Sequence, residues 1–265
     1  MPSVHGFNTL RARSYVFRLP LFTRAMLVAM TVFMLLGLQS AWDVRQWGGL
    51  VPNEFGLGSM YRLNTFPLIH TNFFHYLMNI LALTPLLEKF ETEFGTLTTF
   101  ALFFGPLTTI PALVYLFVEK FIFRGNVAVM GASIWVFLLL ASESVRLYKQ
   151  NPNFMIGTVP IPTWISPLVM ALVVKALAPQ SSFTGHLCAA GTGYLFGLGY
   201  LKFLSPPEKI LRWIEGHLNL LGRLPHYVSV DQKTYGRFGV LPTTSNSTST
   251  MTPLGLIGST QRLGP

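Results

Sequence analysis

Residues 70 to 79, HTNFFHYLMN, decide how the rest of the chain is read. Two histidines and an asparagine interrupt a run of Phe, Leu and Met, and the surrounding window from Leu63 to Leu87 holds 25 residues without a charge. A helix needs ~20 mainly apolar residues to cross the ~30 Å hydrocarbon core of a bilayer. Polar side chains inside such a helix cost several kcal/mol unless something compensates them, so His70, His75 and Asn79 point to a functional site.

Five more charge-free windows flank this one: 18 residues from Ala25 to Trp42, 25 from Phe94 to Val118, 18 from Gly125 to Ser142, 25 from Gln150 to Val174 and 26 from Ala176 to Leu201. Charged residues make up only 11% of the chain and apolar ones 51%, against roughly 25% charged in a soluble domain. The expected fold class is therefore an all-α membrane protein with six transmembrane helices, at roughly 25–42, 72–87, 97–117, 127–146, 163–178 and from 184 onward. Residues 43–66, broken by Gly48, Gly49, Pro52, Gly56 and Gly58, are too polar to span and form a long loop.

An even number of spans puts both termini on one side. Of the 19 Lys and Arg, only Arg45, Arg62, Lys120, Arg124 and Lys175 fall on the opposite face, so the positive-inside rule makes both termini cytosolic. The net charge of +9 then reflects topology, and no nucleic-acid surface is expected because the basic residues form no compact cluster. The first 42 residues lack any acid, as in a mitochondrial presequence, but the long basic stretch ahead of the first apolar window reads as a signal anchor. The lone Cys188 excludes an intrachain disulfide and argues against a thiolate metal site.

The expected organisation is a cytosolic segment 1–22, a six-helix domain 23–204, an amphipathic interfacial helix within 205–228 and a disordered Ser/Thr/Gly/Pro-rich cytosolic tail 229–265. In the third part Ile210, Leu211, Trp213, Ile214, Leu218 and Leu221 recur at helical spacing opposite Lys209, Arg212, Glu215 and Arg223.

The second, fourth and sixth spans all enter from the lumenal side, and their polar residues lie near the entry ends: His70, His75 and Asn79, then Ser133, then His186. All five share one leaflet. With the fourth span starting near Val127, Ser133 falls on the order of 10 Å below the surface at 1.5 Å per residue. A serine and a histidine from different helices at one depth suggest a nucleophile and its general base. His75, Asn79 and the backbone N–H of Ser133 could then stabilise an oxyanion. Gly185, Ala189, Gly193 and Gly197 form a small-residue ladder that lets helix backbones touch, and Gly131 precedes Ser133 by two. Singly, each has a plainer reading, since a membrane serine commonly bonds its own helix and a small-residue ladder commonly serves packing.

His70, His75 and Asn79, then Gly131-Ala132-Ser133, then Gly185-His186 with its ladder, in that order along residues 23–204, resemble the rhomboid intramembrane serine proteases. Tyr61-Arg62 looks like the Trp-Arg pair of that family's first lumenal loop, and the chain looks most like the fungal Golgi rhomboids. The resemblance implies a six-helix rhomboid bundle that cleaves transmembrane protein substrates within the lipid bilayer, without metal or cofactor. It implies Ser133 as nucleophile and His186 as base, with an oxyanion site built around His75, Asn79 and Gly131. His70, Phe137 and Gly193 would support that site. Two positions depart from the family: Ile134 replaces the last glycine of the serine motif, and Phe137 stands where many members carry a tyrosine that stacks on the histidine.

The subgroup resemblance further implies a Golgi location, with the endoplasmic reticulum as the alternative, an active site open to the lumen and processing of a membrane-anchored transcription factor precursor. A rhomboid-like, derlin-like pseudoprotease that binds membrane clients is the competing function. Residues 256–264 resemble the short box by which adaptor tails bind the valosin-containing-protein-type AAA+ ATPase, with Gly258 and Arg262-Leu263-Gly264 in agreement. Asn246-Ser247-Thr248 is a glycosylation sequon that a cytosolic tail never exposes to the lumenal machinery.

Overall fold

The fold comes from a computed structural model, which describes residues 15–234. Helix α1 (Leu21–Leu36) leads into an irregular loop containing the short helices α2 (Val44–Gly48) and α3 (Arg62–Thr65). The long helix α4 (Phe73–Phe94) follows, then α5 (Thr96–Phe103), α6 (Pro106–Phe117) with a π turn at Val118–Ile122, and α7 (Ser133–Tyr148). After a two-stranded hairpin, β1 (Asn153–Ile156) and β2 (Val159–Pro162), come α8 (Ser166–Leu177), α9 (Phe183–Leu198), α10 (Glu208–Leu218) and α11 (Leu220–Arg223).

The fold is mostly helical, as the charge-free windows require. The all-α expectation needs one correction, because β1 and β2 pair antiparallel from Asn153 opposite Pro162 to Ile156 opposite Val159. Pro160 and Pro162 both lie in β2, and in a two-stranded hairpin each strand is an edge, where proline is tolerated. Among the described residues, one helical stretch, Thr96–Ile122, is both long and apolar enough to span a membrane, and Phe183–Leu198 with Lys202–Leu218, bent by 90°, is a second candidate. The other helices are shorter or more charged. Sixteen residues in α1 cover only ~24 Å, and the last two turns of α4 carry Glu88, Lys89, Glu91 and Glu93.

Helix α7 sits at the centre. Its side chains are buried almost all round, from Ile134 through Val145, because α4, α6, α8 and α9 each pack against it. The closest approach is to α9, where a Cβ on Gly193 would lie 2.1 Å from the Leu138 carbonyl oxygen and one on Gly197 would lie 2.6 Å from that of Ser142. Only glycine permits this backbone contact. The break between α5 and α6 falls at Gly105, followed by Pro106 as first residue of α6. Thr108 bonds back to the Phe103 carbonyl across the break, and the Trp135 indole of α7 donates to the Thr108 hydroxyl at 2.8 Å.

At the end of the molecule that carries the α4–α5 turn, Glu91 is fully buried. Helix α1 opens with Pro20 at its cap position, which supplies no side-chain acceptor for the free amides of the first turn. Glu91 supplies one from α4, accepting from Phe22 N at 2.8 Å, Thr23 N at 2.7 Å, the Thr23 hydroxyl at 2.8 Å and the Thr96 hydroxyl at 2.7 Å. A carboxylate at a helix N-terminus is also favoured by the macrodipole.

The segment after α11 joins the same cluster. Val228 N donates to the Thr96 hydroxyl at 2.9 Å, Thr96 N donates to Val228 O at 2.8 Å, and Leu21 N donates to His226 O at 3.0 Å. Glu215 on α10 accepts from the Tyr227 hydroxyl at 2.7 Å and from Val230 N at 2.9 Å. Burial and this carboxylate push the Tyr227 phenol well above its ordinary pKa, so it stays a donor. Residues 229–234, expected to begin a disordered tail, are thus fixed: Ser229 and Val230 are buried, and Thr234 N donates to Thr92 O at 3.1 Å. Composition could not show this, since the partners lie on α4 and α10. The sequon at Asn246 and the box at 256–264 lie outside the described residues.

Candidate active site

Ser133 is the first residue of α7, not a residue one turn or more into a helix starting near Val127 as expected. Residues 124–132 are not helical, and most of their bonding partners are distant in sequence. Leu50 and Val129 exchange backbone bonds at 3.0 and 2.9 Å, Asn53 N donates to the Asn126 side chain at 2.9 Å, and the Tyr115 hydroxyl donates to Val127 O. Gly131 N donates to Phe66 O at 2.9 Å and Ala132 N to His70 Nε2 at 3.4 Å. The serine is presented by a short strand-like descent clamped to the 50–70 loop. As the opening residue of a helix, it also carries an amide with no intrahelical partner.

His186 lies one turn into α9, whose first turn is capped by Ser182 accepting from Gly185 N at 3.1 Å. Its Nε2 is 3.1 Å from Ser133 Oγ. The imidazole stacks on Phe137, one turn after the serine, with centroids 4.2 Å apart and planes 27° apart. A ring face is thus present against the imidazole, although the hydroxyl of a tyrosine is missing. His186 Nδ1 is buried and bonds no side chain among the described residues, so no carboxylate completes a triad there.

Helix α4 supplies the second wall. Asn72 caps it by accepting from His75 N at 2.8 Å, which fixes the first turn. Asn79 Nδ2 donates to His75 O at 2.8 Å, using one of its two protons. Both side chains face Gly131: a Cβ there would lie 2.8 Å from His75 Nε2 and 3.7 Å from Asn79 Nδ2. Gly131 itself, at φ +109°, has its N–H committed to Phe66 O, so it contributes space and not a donor. His70 is 3% exposed, stacks edge-on against His75 at 5.2 Å and accepts from the amide next to the serine. Gly193 acts one step away, by holding α9 against α7.

Of the residues singled out from sequence, Ser133, His186 and Phe137 form one contact group and His75, Asn79, Gly131 and His70 a second beside it. Sequence reasoning missed Asn72, Thr71 and the Phe66 carbonyl. Asn72 carried a signal, since an Asn three residues before the end of the first turn is a common cap. Tyr61 and Arg62 lie outside the site: Arg62 pairs with Glu54 at 2.7 Å and with Gln46 O at 3.0 Å, while the Tyr61 ring stacks on Trp47 at 5.2 Å.

The family model for the Rhomboid domain matches residues 57–203. The chain is 59% identical over 288 residues to "Rhomboid-type serine protease 2" of Podospora anserina, covering 100% of this chain and 99% of the relative. It is 62% identical over 261 residues to "Rhomboid-type serine protease B" of Aspergillus fumigatus, covering 98% and 96%. A more distant relative of the same kind, from Yarrowia lipolytica, is 30% identical over 196 residues. With a domain match that contains α4, α7 and α9 and end-to-end similarity to named serine proteases, the chain belongs to the rhomboid family of intramembrane serine endopeptidases.

Proposed function

We propose that Ser133 and His186 form the catalytic dyad of this protease. The 3.1 Å contact between Ser133 Oγ and His186 Nε2 carries the reading. In the acylation step Ser133 Oγ attacks the scissile carbonyl of a substrate transmembrane segment and its proton passes to His186 Nε2. The imidazolium then protonates the leaving amine, the C–N bond breaks and an acyl-enzyme forms. In the second step His186 takes a proton from water, the resulting hydroxide attacks the ester, and Ser133 recovers its proton. The Ser133 amide, His75 and Asn79 converge on the side where the oxyanion develops, with Gly131 leaving room for it. Cleavage of single-span substrates by wild type, with Ser133→Ala and His186→Ala both inactive, is the expected result; product from Ser133→Ala at the wild-type rate would remove the serine from the mechanism.

The same proposal includes six spans with cytosolic termini, so that the site opens to the lumen of the Golgi, or of the endoplasmic reticulum. The distribution of Lys and Arg supports the orientation. A glycosidase-sensitive mass shift lost in Asn246→Gln would reverse it. Helix α10 then lies in the cytosolic interface, as its 90° bend from α9 and the exposure of Ile210, Trp213 and Leu218 support. The substrate proposed from the resemblance is a membrane-anchored transcription factor precursor. Recruitment of a valosin-containing-protein-type ATPase by residues 256–264 rests on the sequence alone, and loss of the ATPase from pull-downs by Leu263→Ala tests it.

A further inference from the structure

We infer that Thr71 is a positioning residue that fixes the tautomer of His75 and so arms its Nε2–H as an oxyanion donor. The inference rests on the proposed reading of the Ser133 site. Thr71 lies between His70 and the cap residue Asn72, just before α4. Both of its polar groups face the same ring nitrogen: the backbone N–H is directed at His75 Nδ1 at 3.5 Å, and the hydroxyl oxygen is 3.1 Å from that nitrogen.

The backbone group settles the direction. An amide N–H can only donate, so the nitrogen it faces must present a lone pair. A neutral imidazole with an unprotonated Nδ1 carries its proton on Nε2. The Thr71 hydroxyl, free to rotate, then donates to the same lone pair across the shorter gap, 3.1 Å against 3.5 Å for the amide, and supplies most of the bond that holds this tautomer. The Cε1–Nε2 edge of the His75 ring faces Gly131, with these atoms 2.5 and 2.8 Å from where a Cβ would be. With the opposite tautomer a lone pair would face the developing negative charge, and the site would repel what it must stabilise. His75 cannot choose the correct form through another side chain, since among the described residues the side-chain hydrogen bond to its ring comes from Thr71 alone.

His70 shows the complementary arrangement. The Ala132 amide donates to its Nε2, so its proton belongs on Nδ1 and its ring serves the serine-bearing loop. Two backbone amides, those of Thr71 and Ala132, thus assign opposite tautomers to two histidines five residues apart. Each assignment is read from a group that cannot change role.

Thr71→Val keeps the shape and removes the hydroxyl, while Thr71→Ser keeps the hydroxyl. Thr71 is exposed, so water competes for the bond, and the expected loss for Thr71→Val is roughly three- to tenfold in kcat, the factor an ordinary net hydrogen bond supplies. KM should not change, because the oxyanion exists only after attack. Thr71→Ser should restore the rate, and adding Thr71→Val to His75→Ala should have no further effect. Rates are normalised to the fraction of Ser133 labelled by a fluorophosphonate, which removes any contribution from misfolded protein. A normal kcat in Thr71→Val, or the same fold loss with and without His75, would overturn the inference. Cleavage by Ser133→Ala would instead overturn the reading of the site itself.

Discussion

Gly131 is where one residue governs most. Its φ of +109° is strained for any side chain, and a Cβ would meet His75 Cε1 at 2.5 Å. Gly131→Ala should therefore lose activity by more than 10³-fold while the helices still form, checked by turnover alongside circular dichroism. Asn79→Ala removes one of three proposed donors and should cost ~10² to 10³ in kcat, leaving measurable cleavage. Order and spacing single out Ser133, His186, His75 and Asn79 in the sequence, because intramembrane polar residues are few. The role of Gly131 was less legible. Its amide is consumed by the Phe66 carbonyl, a loop group 65 positions earlier, and no spacing rule exposes such a partner.

Helix packing is decided along the α7–α9 contact. Gly193→Ala would drive a methyl group to within 2.1 Å of the Leu138 carbonyl, and the helices must separate to relieve it. Overpacking of this kind costs about 1–3 kcal/mol, so a lower melting temperature and lower activity should appear together. Gly191, on the same helix, has nothing within 4 Å of its Cβ position, and Gly191→Ala should match wild type in both assays. Equal effects of the two substitutions would remove the special role of the contact. The helices were legible as charge-free windows, but their starts were not. Hydropathy runs on unbroken from Gly125 to Ser133, whereas the backbone up to Ala132 is not helical, since Leu50, Phe66 and Tyr115 bond it instead.

Across the whole molecule the Glu91 cluster joins α1, the α4–α5 turn and residues 226–228. Glu91→Ala leaves buried amides and hydroxyls without an acceptor at about 1–3 kcal/mol each, a large share of a total stability of ~5–15 kcal/mol. A steep fall in melting temperature is expected, with Glu91→Gln intermediate because it keeps one acceptor oxygen; a variant as stable as wild type would show that the cluster is dispensable. The cluster was invisible in the sequence, which shows Glu91 as one acid in a charged turn. It also imposes an order on biogenesis. The amide of Leu21 waits for the carbonyl of His226, about 200 residues later, which at ~5–20 residues per second is a delay on the order of 10–40 s. Helix α1 thus leaves the ribosome early yet has its N-terminal end closed late, and a stalled nascent chain lacking residues 226–234 should be nicked by protease near Pro20, while one that includes them is protected.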